Sequence, residues 1–379
     1  MKLKQMLVEM LNRNASDLHL RVGIRPHIRV NGILEPIATD PLTIDAMENI
    51  VGQILSDQQQ DRFRRKSEMD LALSVAKLGR FRINLFRQRG TTGIAIRAVN
   101  TRIPVFEELN LPNTIKTLSE EKRGLIIVTG TTGSGKSTTL AAMLEHMNSN
   151  RVDNILTVED PIEYIYRDKK CIISQRELGA DTESFASALK HSLRQDPDVI
   201  MIGEIRDIDT MSIALTAADT GHLVLTTLHT LNAVETLSRI ISFFPPHQHQ
   251  QIRLLLAGTL KSIVCQRLLT RSDMQGRVPA LEILINSAAV REYIMDQEKT
   301  SAIPDLIEQG RQQYGMMSFD QSIMGLYREG MISYEEAMAQ CSNADDFDLR
   351  VKGITGASDR WTGENGEKPE KEKSGFQKF

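Results

Sequence analysis

The stretch GLIIVTGTTGSGKS, residues 124–137, decides the fold of this chain. Its apolar run, 125–128, has no polar break, which is typical of a strand buried on both faces of a parallel sheet. The remainder matches the pattern G-x-x-x-x-G-K-[S/T] in full, with Lys136 and Ser137 opening the next helix. A glycine-rich turn between a strand and a helix aims backbone N–H groups at a polyphosphate. The stretch therefore predicts a nucleotide-binding α/β domain.

Each residue type in this turn has a physical role. At about 4 Å from a phosphate oxygen, the charge of Lys136 is worth roughly 4 kcal/mol at an effective dielectric near 20. The hydroxyl of Ser137 is placed to ligate the Mg²⁺ that accompanies ATP. We predict that ATP is held by the turn and the first helical residues, namely Gly130, Thr131, Thr132, Gly133, Ser134, Gly135, Lys136, Ser137 and Thr138.

Further apolar strands follow at 155–158, 199–202 and 222–228, and helices separate them. This alternation predicts a doubly wound parallel sheet, in which ligands gather at the carboxyl ends of the strands. Polar groups lie at or beside the ends of these strands and are expected to form one site: Glu159, Asp160, Glu163, Glu204, His222 and His229.

The acidic groups suit the hydrolysis of a terminal phosphate. Glu204, directly after the third strand, is the best candidate to orient and deprotonate water. Glu159 and Glu163 can hold Mg²⁺ through water molecules. The third strand ends without two adjacent carboxylates, so we expect Ser137 to hold the metal, with Glu159 and Glu204 acting through water.

The first hundred residues predict a small α+β domain. Apolar residues at helical spacing in 3–13 predict a helix, and alternating segments such as 16–22 and 80–86 predict an antiparallel sheet. Arginines crowd the second half of this domain: Arg80, Arg82, Arg87, Arg89 and Arg97. They form either a solvated strand face or a set of charges presented to the phosphate of another subunit, and the residues alone leave both interpretations open.

Four segments divide the chain. Residues 1–99 form the N-terminal domain, and 100–112, with two prolines and little periodicity, form a linker. The P-loop domain covers 113–345, and its part beyond residue 233 is predicted to be mainly helical, including one long helix over 247–269. The polar segment 346–379, rich in Gly, Lys and Glu, is predicted to be largely disordered.

The composition excludes several classes of protein. The chain has 379 residues, 41% of them hydrophobic, and a net charge of −3, which gives no footprint for nucleic acid. No apolar run approaches the roughly 18 residues of a membrane span. The cysteines lie far apart, so we expect neither a disulfide framework nor a zinc site. We predict a cytoplasmic protein with no integral membrane segment.

Four motifs together resemble one family. TGTTGSGKS (129–137), ILTVEDPIEY (155–164), DVIMIGEIRD (198–207) and TGHLVLTTLHT (220–230) look like the Walker A, Asp, Walker B and His boxes of secretion-superfamily ATPases. Within that superfamily, the segments SDLHL, GRFRINLFRQRG and GMMSFDQSIMGLYREGMISYEEA resemble the type IV pilus retraction ATPases, the PilT/PilU family. The resemblance implies a PAS-like α+β domain followed by a RecA-like P-loop domain with a helical C-terminal part, and ATP held between the two domains.

The resemblance also implies roles for single residues. Glu204 matches the catalytic carboxylate, and Glu159 and Glu163 match the acids of the Asp box. Arg82 and Arg97 match the arginines that reach the γ-phosphate, a contribution worth a thousandfold or more when properly supplied. The residues that match the His box are His222 and His229.

The implied function is that of a motor. The resemblance implies a homohexamer that hydrolyses ATP to ADP and phosphate, acts on an inner-membrane pilus platform protein and works at the cytoplasmic side of the pilus base. One departure concerns the family's A-I-R-N-L-I-R-type segment, which appears only as AAVREYIMDQEKT, residues 288–300. That segment is tied to retraction rather than to hydrolysis, so the departure bears on the motor output and not on the ATPase.

Three other functions stay open. The first is an accessory paralogue that assists another retraction ATPase. The second is a pilus-extension or type II secretion ATPase, although ATPases of that second kind usually carry a four-cysteine zinc module and a longer N-terminal region. A nucleic-acid translocase is disfavoured by the net charge and by the lack of an aromatic and basic binding stretch.

Overall fold

A computed structural model describes residues 2–30, 32–37, 40–99 and 102–354. Two sheets follow one another along this part of the chain. The predicted disorder of the tail beyond residue 354 lies outside the described residues.

The first sheet is antiparallel throughout. Its strands are β1 (Asp17–Arg21), β2 (His27–Val30), β3 (Ile33–Pro36), β4 (Glu68–Val75), β5 (Gly79–Gln88) and β6 (Thr91–Ala98). They lie in the order β3-β2-β1-β6-β5-β4, so the first and last strands, β1 and β6, pair in the middle of the sheet. The chain alternates along β5, with Phe81, Ile83 and Leu85 buried in the core and Arg80 and Arg82 on the other face.

Three helices cover the apolar face of this sheet: α1 (Leu3–Asn12), α2 (Ile44–Ile54) and α3 (Asp57–Lys66). Ser56 caps the start of α3 with a capping box. Its hydroxyl accepts a hydrogen bond from the Gln59 N–H, and the Gln59 side-chain oxygen accepts one from the Ser56 N–H. The helices leave the opposite, polar face of the sheet to meet the second half of the chain.

The second sheet carries the P-loop. Its strands are β7 (Gly124–Thr129), β8 (Asn154–Glu159), β9 (Ile172–Glu177), β10 (Val199–Ile202), β11 (Leu223–Leu228), β12 (Leu260–Thr270) and β13 (Arg277–Ile285). They lie in the order β13-β12-β7-β11-β10-β8-β9, and every neighbouring pair is parallel except β12 and β13. All residues of β7 are buried, as the unbroken apolar run predicted, and the predicted fold class is confirmed.

Helices lie on both faces of this sheet. They are α4 (Asn113–Ser119), α5 (Lys136–Asn150), α6 (Phe185–Ser192), α7 (Ile208–Asp219), α8 (Ala233–Ser242) and α9 (His249–Thr259). The helical C-terminal part consists of α10 (Ala288–Met295), α11 (Ile303–Gln309), α12 (Arg311–Tyr314), α13 (Phe319–Arg328), α14 (Tyr334–Gln340) and α15 (Ala344–Val351). Short 3₁₀ turns precede α9 and α11, at Pro246–Gln248 and Thr300–Ala302. Over the described ranges, none of these helices has the length and apolar character needed to cross a bilayer.

The structure corrects three sequence predictions. The predicted long helix over 247–269 is wrong, because α9 ends at Thr259 and the chain continues as β12. Residues 260–266 of β12 are almost all buried, and such a continuous apolar run does not distinguish a central strand from a buried helix. Strands β9 and β13 were not predicted. The predicted tail, 346–379, begins inside α15, whose Phe347 is fully buried.

Candidate functional site

The phosphate loop joins β7 to α5. Gly130 has a φ of 141°, and a Cβ there would lie 2.3 Å from the Gln266 carbonyl oxygen, so no side chain fits. Gly135, with a φ of 91°, stands at the N-cap of α5, where a β-carbon would meet the Gln266 amide at 2.7 Å. β12 therefore packs close behind the loop and restricts both positions to glycine.

Lys136 is folded back into the loop. Its Nζ donates to the Gly130 carbonyl at 2.8 Å and to the Thr131 carbonyl at 3.0 Å. Burial lowers the pKa of this lysine, although the carboxylates of Glu204 and Glu163 act in the opposite direction. Beside it, the buried Ser134 hydroxyl has no hydrogen-bond partner. The loop thus holds a cation and a free polar group at the place where phosphate oxygens would bind.

A cavity of about 330 Å³ opens in front of this loop. Two other segments close it: the turn 160–163 after β8, called the Asp-box turn below, and the residues that follow β10. Among the predicted site residues, those that line this cavity are Thr132, Gly133, Lys136, Ser137, Glu159, Asp160, Glu163, Glu204 and His229. The carboxyl edge of the parallel sheet brings these groups together, as the strand order requires.

Glu204 lies between Arg206 and His229. It forms an ion pair with Arg206, and Glu204 Oε2 lies 3.3 Å from His229 Nε2. The hydrogen bond from Arg206 to Glu204 is the main reason that the pKa of Arg206 is raised. Only 13% of the Glu204 side chain is exposed, and the exposed part faces the cavity, so this carboxylate can accept a hydrogen bond from a water molecule there.

Glu159 differs from Glu204 in its surroundings. Burial raises its pKa, although the carboxylate accepts hydrogen bonds from the Thr157 hydroxyl at 2.8 Å and from Gln175 Nε2 at 3.1 Å. It also accepts from the Glu163 N–H at 3.3 Å, which fixes the end of the Asp-box turn. Since these bonds use both of its oxygens, the carboxylate shapes the turn and presents Glu163 to the cavity.

Sequence reasoning gave no role to Tyr164, the residue after Glu163. Its hydroxyl lies 2.9 Å from the Thr138 hydroxyl at the start of α5. The Gln175 side chain on β9 donates to the Tyr164 carbonyl. These contacts tie the Asp-box turn to the phosphate-loop helix. Tyr164 stands in the motif ILTVEDPIEY, whereas Gln175 was missed because β9 was not predicted.

The predicted arginines lie on the polar face of the first sheet. Arg82 Nη2 donates to the Pro161 and Ile162 carbonyls at 3.2 and 3.1 Å, so it contacts the Asp-box turn of its own chain. Burial lowers its pKa, and the nearby Glu163 carboxylate partly offsets this effect. Arg97 Nε donates to Asp17 at 2.8 Å. A second cavity, of about 740 Å³, lies between this face and the Asp-box turn and shares Asp160 and Pro161 with the first.

His222 is not brought to the site. It precedes β11, where its Nδ1 lies 3.0 Å from the Ala217 carbonyl, whereas His229 follows β11. The two histidines therefore lie at opposite ends of β11. The expectation that both lie in one site is wrong for His222 within this chain. In the sequence, one histidine stands before β11 and the other after it. Only the carboxyl end of a parallel strand lies next to the phosphate loop, and that is the end with His229.

The residues present fit a nucleotide and its metal ion. The loop has no room for a β-carbon at Gly130, its buried Ser134 hydroxyl has no hydrogen-bond partner, and Lys136 lines the cavity in front of it. Ser137 and the Glu163 and Glu204 carboxylates line the same cavity and are oxygen donors of the kind that Mg²⁺ takes. Across the residues that the structure describes, this site included, no three His, Cys, Asp or Glu side chains form a group that could hold a metal ion, so the nucleotide and water would have to complete the ligands of Mg²⁺.

Comparison with known proteins agrees with this geometry. The family model described as "Type II/IV secretion system protein" matches residues 1–363. The type IV pilus ATPase PilU of Pseudomonas aeruginosa is 42% identical over 352 residues, which is 93% of this chain and 92% of PilU. The type IV pilus retraction ATPase PilT of the same organism is 39% identical over 347 residues, 92% of this chain and all of PilT.

A solved structure is also similar. The crystal structure of the pilus retraction motor PilT with bound ADP superposes with a TM-score of 0.84 at 39% sequence identity. The superposition covers 91% of this chain and 98% of that one. The similarity therefore includes both sheets and is not restricted to the P-loop.

Proposed function

This chain belongs to the type II/IV secretion system proteins, within the PilT/PilU group of type IV pilus ATPases, and we propose that it hydrolyses ATP to power pilus retraction. One observation carries the proposal: a single cavity joins the phosphate loop, Glu204 and the Asp-box turn, and the arginine face of the first sheet lies against that turn. Those are the parts that phosphoryl transfer to water requires.

In this mechanism each side chain has one task. Lys136 exchanges the two loop carbonyls for phosphate oxygens when ATP binds, and Ser134 donates to the same phosphates. Glu204 accepts a proton from the attacking water, and Arg206 and His229 hold its carboxylate in place. Ser137, together with Glu159 and Glu204 through water, would hold Mg²⁺, and the ion would supply positive charge to neutralise the phosphates.

Arg82 links hydrolysis to movement. It lies against the Asp-box turn, and a γ-phosphate attracts its guanidinium away from the two carbonyls. The first sheet then follows Arg82 toward the second sheet, and release of phosphate reverses the movement. We propose that a homohexamer adds these movements around a ring and passes them to an inner-membrane platform protein at the cytoplasmic side of the pilus base.

The division of the chain follows from the same proposal. Residues 1–99 act as the moving module, 100–112 as the connection, and 113–345 as the catalytic module. His222 lies at the amino end of β11, away from the cavity. In this proposal it transmits changes in the position of β11 to a neighbouring subunit in the ring. Arg97 is bound to Asp17 in one chain and reaches the γ-phosphate only when that bond is given up.

An accessory role is the second candidate, because the chain is similar to PilU as well as to PilT. The deciding experiment has two parts. ATP turnover and the mass of the purified assembly are measured first, and we expect hydrolysis by a hexamer. Pilus retraction is then followed in cells that lack the protein. Hyperpiliated cells with stalled pili support the retraction motor, whereas normal retraction assigns the protein to the accessory role.

A further inference from the structure

A partly buried ion pair connects the two sheets, and nothing in the catalytic scheme uses it. Arg80 stands two residues before Arg82 on β5, so both side chains point from the same face of the first sheet. Arg80 Nη2 donates to Glu177 Oε2 at 3.0 Å, and Glu177 is the last residue of β9 in the second sheet.

Glu177 also holds the Asp-box turn. Its Oε2 accepts from the Ile162 N–H at 3.2 Å, and Arg82 donates to the Ile162 carbonyl from the other side. β9 pairs with β8 so that Glu177 stands opposite Glu159, whose carboxylate fixes the end of the same turn. One carboxylate thus joins the arginine face of the first sheet to the backbone that Arg82 contacts.

The pair is shielded from water. The Glu177 side chain is 9% exposed and that of Arg80 is 21% exposed, whereas Arg97 in the neighbouring pair is 64% exposed. In a buried pair, removing one partner leaves the other charge without compensation, so the remaining side chain moves toward water or another partner. Loss of either residue would therefore displace β5 relative to the Asp-box turn, and Arg82 lies on β5.

We propose that Arg80 and Glu177 are positioning residues for hydrolysis: their ion pair seats the first sheet on the Asp-box turn and so delivers Arg82 to the mouth of the phosphate cavity. Neither residue lines the phosphate cavity. The inference rests on the proposed ATPase function, since positioning has consequences for turnover only if the site hydrolyses ATP.

The enzymatic test compares Arg80→Gln, Glu177→Gln and the double variant with the natural chain. Because misplacement of a catalytic group by about 1 Å can cost about a hundredfold, we expect kcat to fall about ten- to a hundredfold. The phosphate loop is untouched, so KM for ATP should change less than about threefold. The two changes break the same contact, and the double variant should lose no more than the worse single variant.

Two further variants separate positioning from general stability. Arg80→Lys keeps the charge and should recover part of kcat, whereas Arg64→Gln removes an arginine from an exposed pair in the same module and should leave kcat unchanged. A fall in thermal stability with kcat retained would overturn the inference, as would losses that simply add in the double variant.

Hydrogen exchange tests the same contact in the absence of ATP hydrolysis. In the full-length assembly without nucleotide, the amides of residues 160, 162 and 163 should exchange faster in Arg80→Gln than in the natural chain or in Arg64→Gln, although Arg80 lies in the other module. Unchanged exchange there would overturn the inference even if the natural chain hydrolyses ATP. Conversely, faster exchange in a chain that does not hydrolyse ATP would support the seating contact and refute the proposed function.

Discussion

The phosphate loop and the arginine face of the first sheet are held in place by contacts of different sequence range. The loop is contiguous in sequence, and Lys136 is held by carbonyls five and six residues before it. The arginines depend on distant partners: Arg82 contacts carbonyls 79 and 80 positions away, and Arg80 contacts Glu177. The loop is therefore complete in a single module, whereas the arginine face acts only where the two modules meet.

This difference separates binding from movement. A nucleotide can be held by the loop whatever the position of the first sheet. In the proposed mechanism, Arg82 exchanges the Pro161 and Ile162 carbonyls for phosphate only if the first sheet moves with it. Nucleotide affinity should thus follow the loop, and turnover should follow the contact between modules.

The largest effect is expected at the loop. Lys136→Ala removes a charge worth roughly 4 kcal/mol at about 4 Å from a phosphate oxygen, so ATP binding should weaken about a thousandfold and turnover should be lost. Fluorescent-nucleotide titration and phosphate release measure the two effects. Lys169→Ala, at a half-exposed lysine, is the control. Retention of tight ATP binding by Lys136→Ala would contradict the claim that nucleotide affinity depends on the phosphate loop.

The next effect concerns the other side of the comparison. Arg82→Gln should leave nucleotide affinity within about threefold and lower kcat about a thousandfold, near the lower end for an arginine that stabilises the transferring phosphate. Steady-state kinetics measures both values. Arg87→Gln, on the opposite face of β5 over Phe63, is the control and should hydrolyse ATP normally.

A mixture of subunits sharpens the assignment of Arg82. The side chain contacts the Asp-box turn of its own chain, so rings mixed from Arg82→Gln and Lys136→Ala subunits should show no recovered activity. Recovery would mean that the arginine serves a neighbouring subunit, the alternative that the sequence left open.

A smaller loss is expected at Glu204. Glu204→Gln keeps the shape of the side chain and removes the proton acceptor, so kcat should fall at least about a hundredfold while ATP stays bound. Phosphate release in a single turnover measures this loss, and the exposed Glu183→Gln serves as the control. Near-normal turnover would assign the catalytic carboxylate elsewhere, with Glu163 in the same cavity as the next candidate.

The smallest effect is expected at Arg97, and it depends on pH. Burial raises the pKa of Asp17, but hydrogen bonds from Arg97 and Ser16 outweigh it, and the pKa lies below its usual value. A lowered pKa in the folded state gives stability that is present above the unfolded pKa of about 3.9 and is lost as the pH falls through the folded value.

Because Arg97 is 64% exposed, Arg97→Gln should cost less than about 1 kcal/mol of unfolding free energy at pH 7. The difference should persist down to about pH 4 and shrink only below it, as the pH falls through the lowered pKa of Asp17. Urea unfolding followed at several pH values measures it. A difference that grows in acid would contradict the role given to Asp17.

The sequence determined everything that depends on contiguous residues. The run 125–128, the glycines and Lys136 specify the strand, the turn and the helix start without reference to the rest of the chain, because each requirement concerns backbone geometry within a few residues. The alternation of strands and helices likewise predicted the edge at which Glu204 and Glu163 meet, since parallel strands bring their carboxyl ends together.

Only the tertiary structure decided which strands complete the sheet and what the arginines contact. Residues 260–266 of β12 are almost all buried. The Gln266 backbone carbonyl restricts Gly130 to glycine, and the Gln266 side-chain amide, together with a positive φ, restricts Gly135. β9 was missed, and with it Glu177. Partners far apart in sequence are set by how two modules pack, and no local pattern encodes a contact such as that between Arg80 and Glu177.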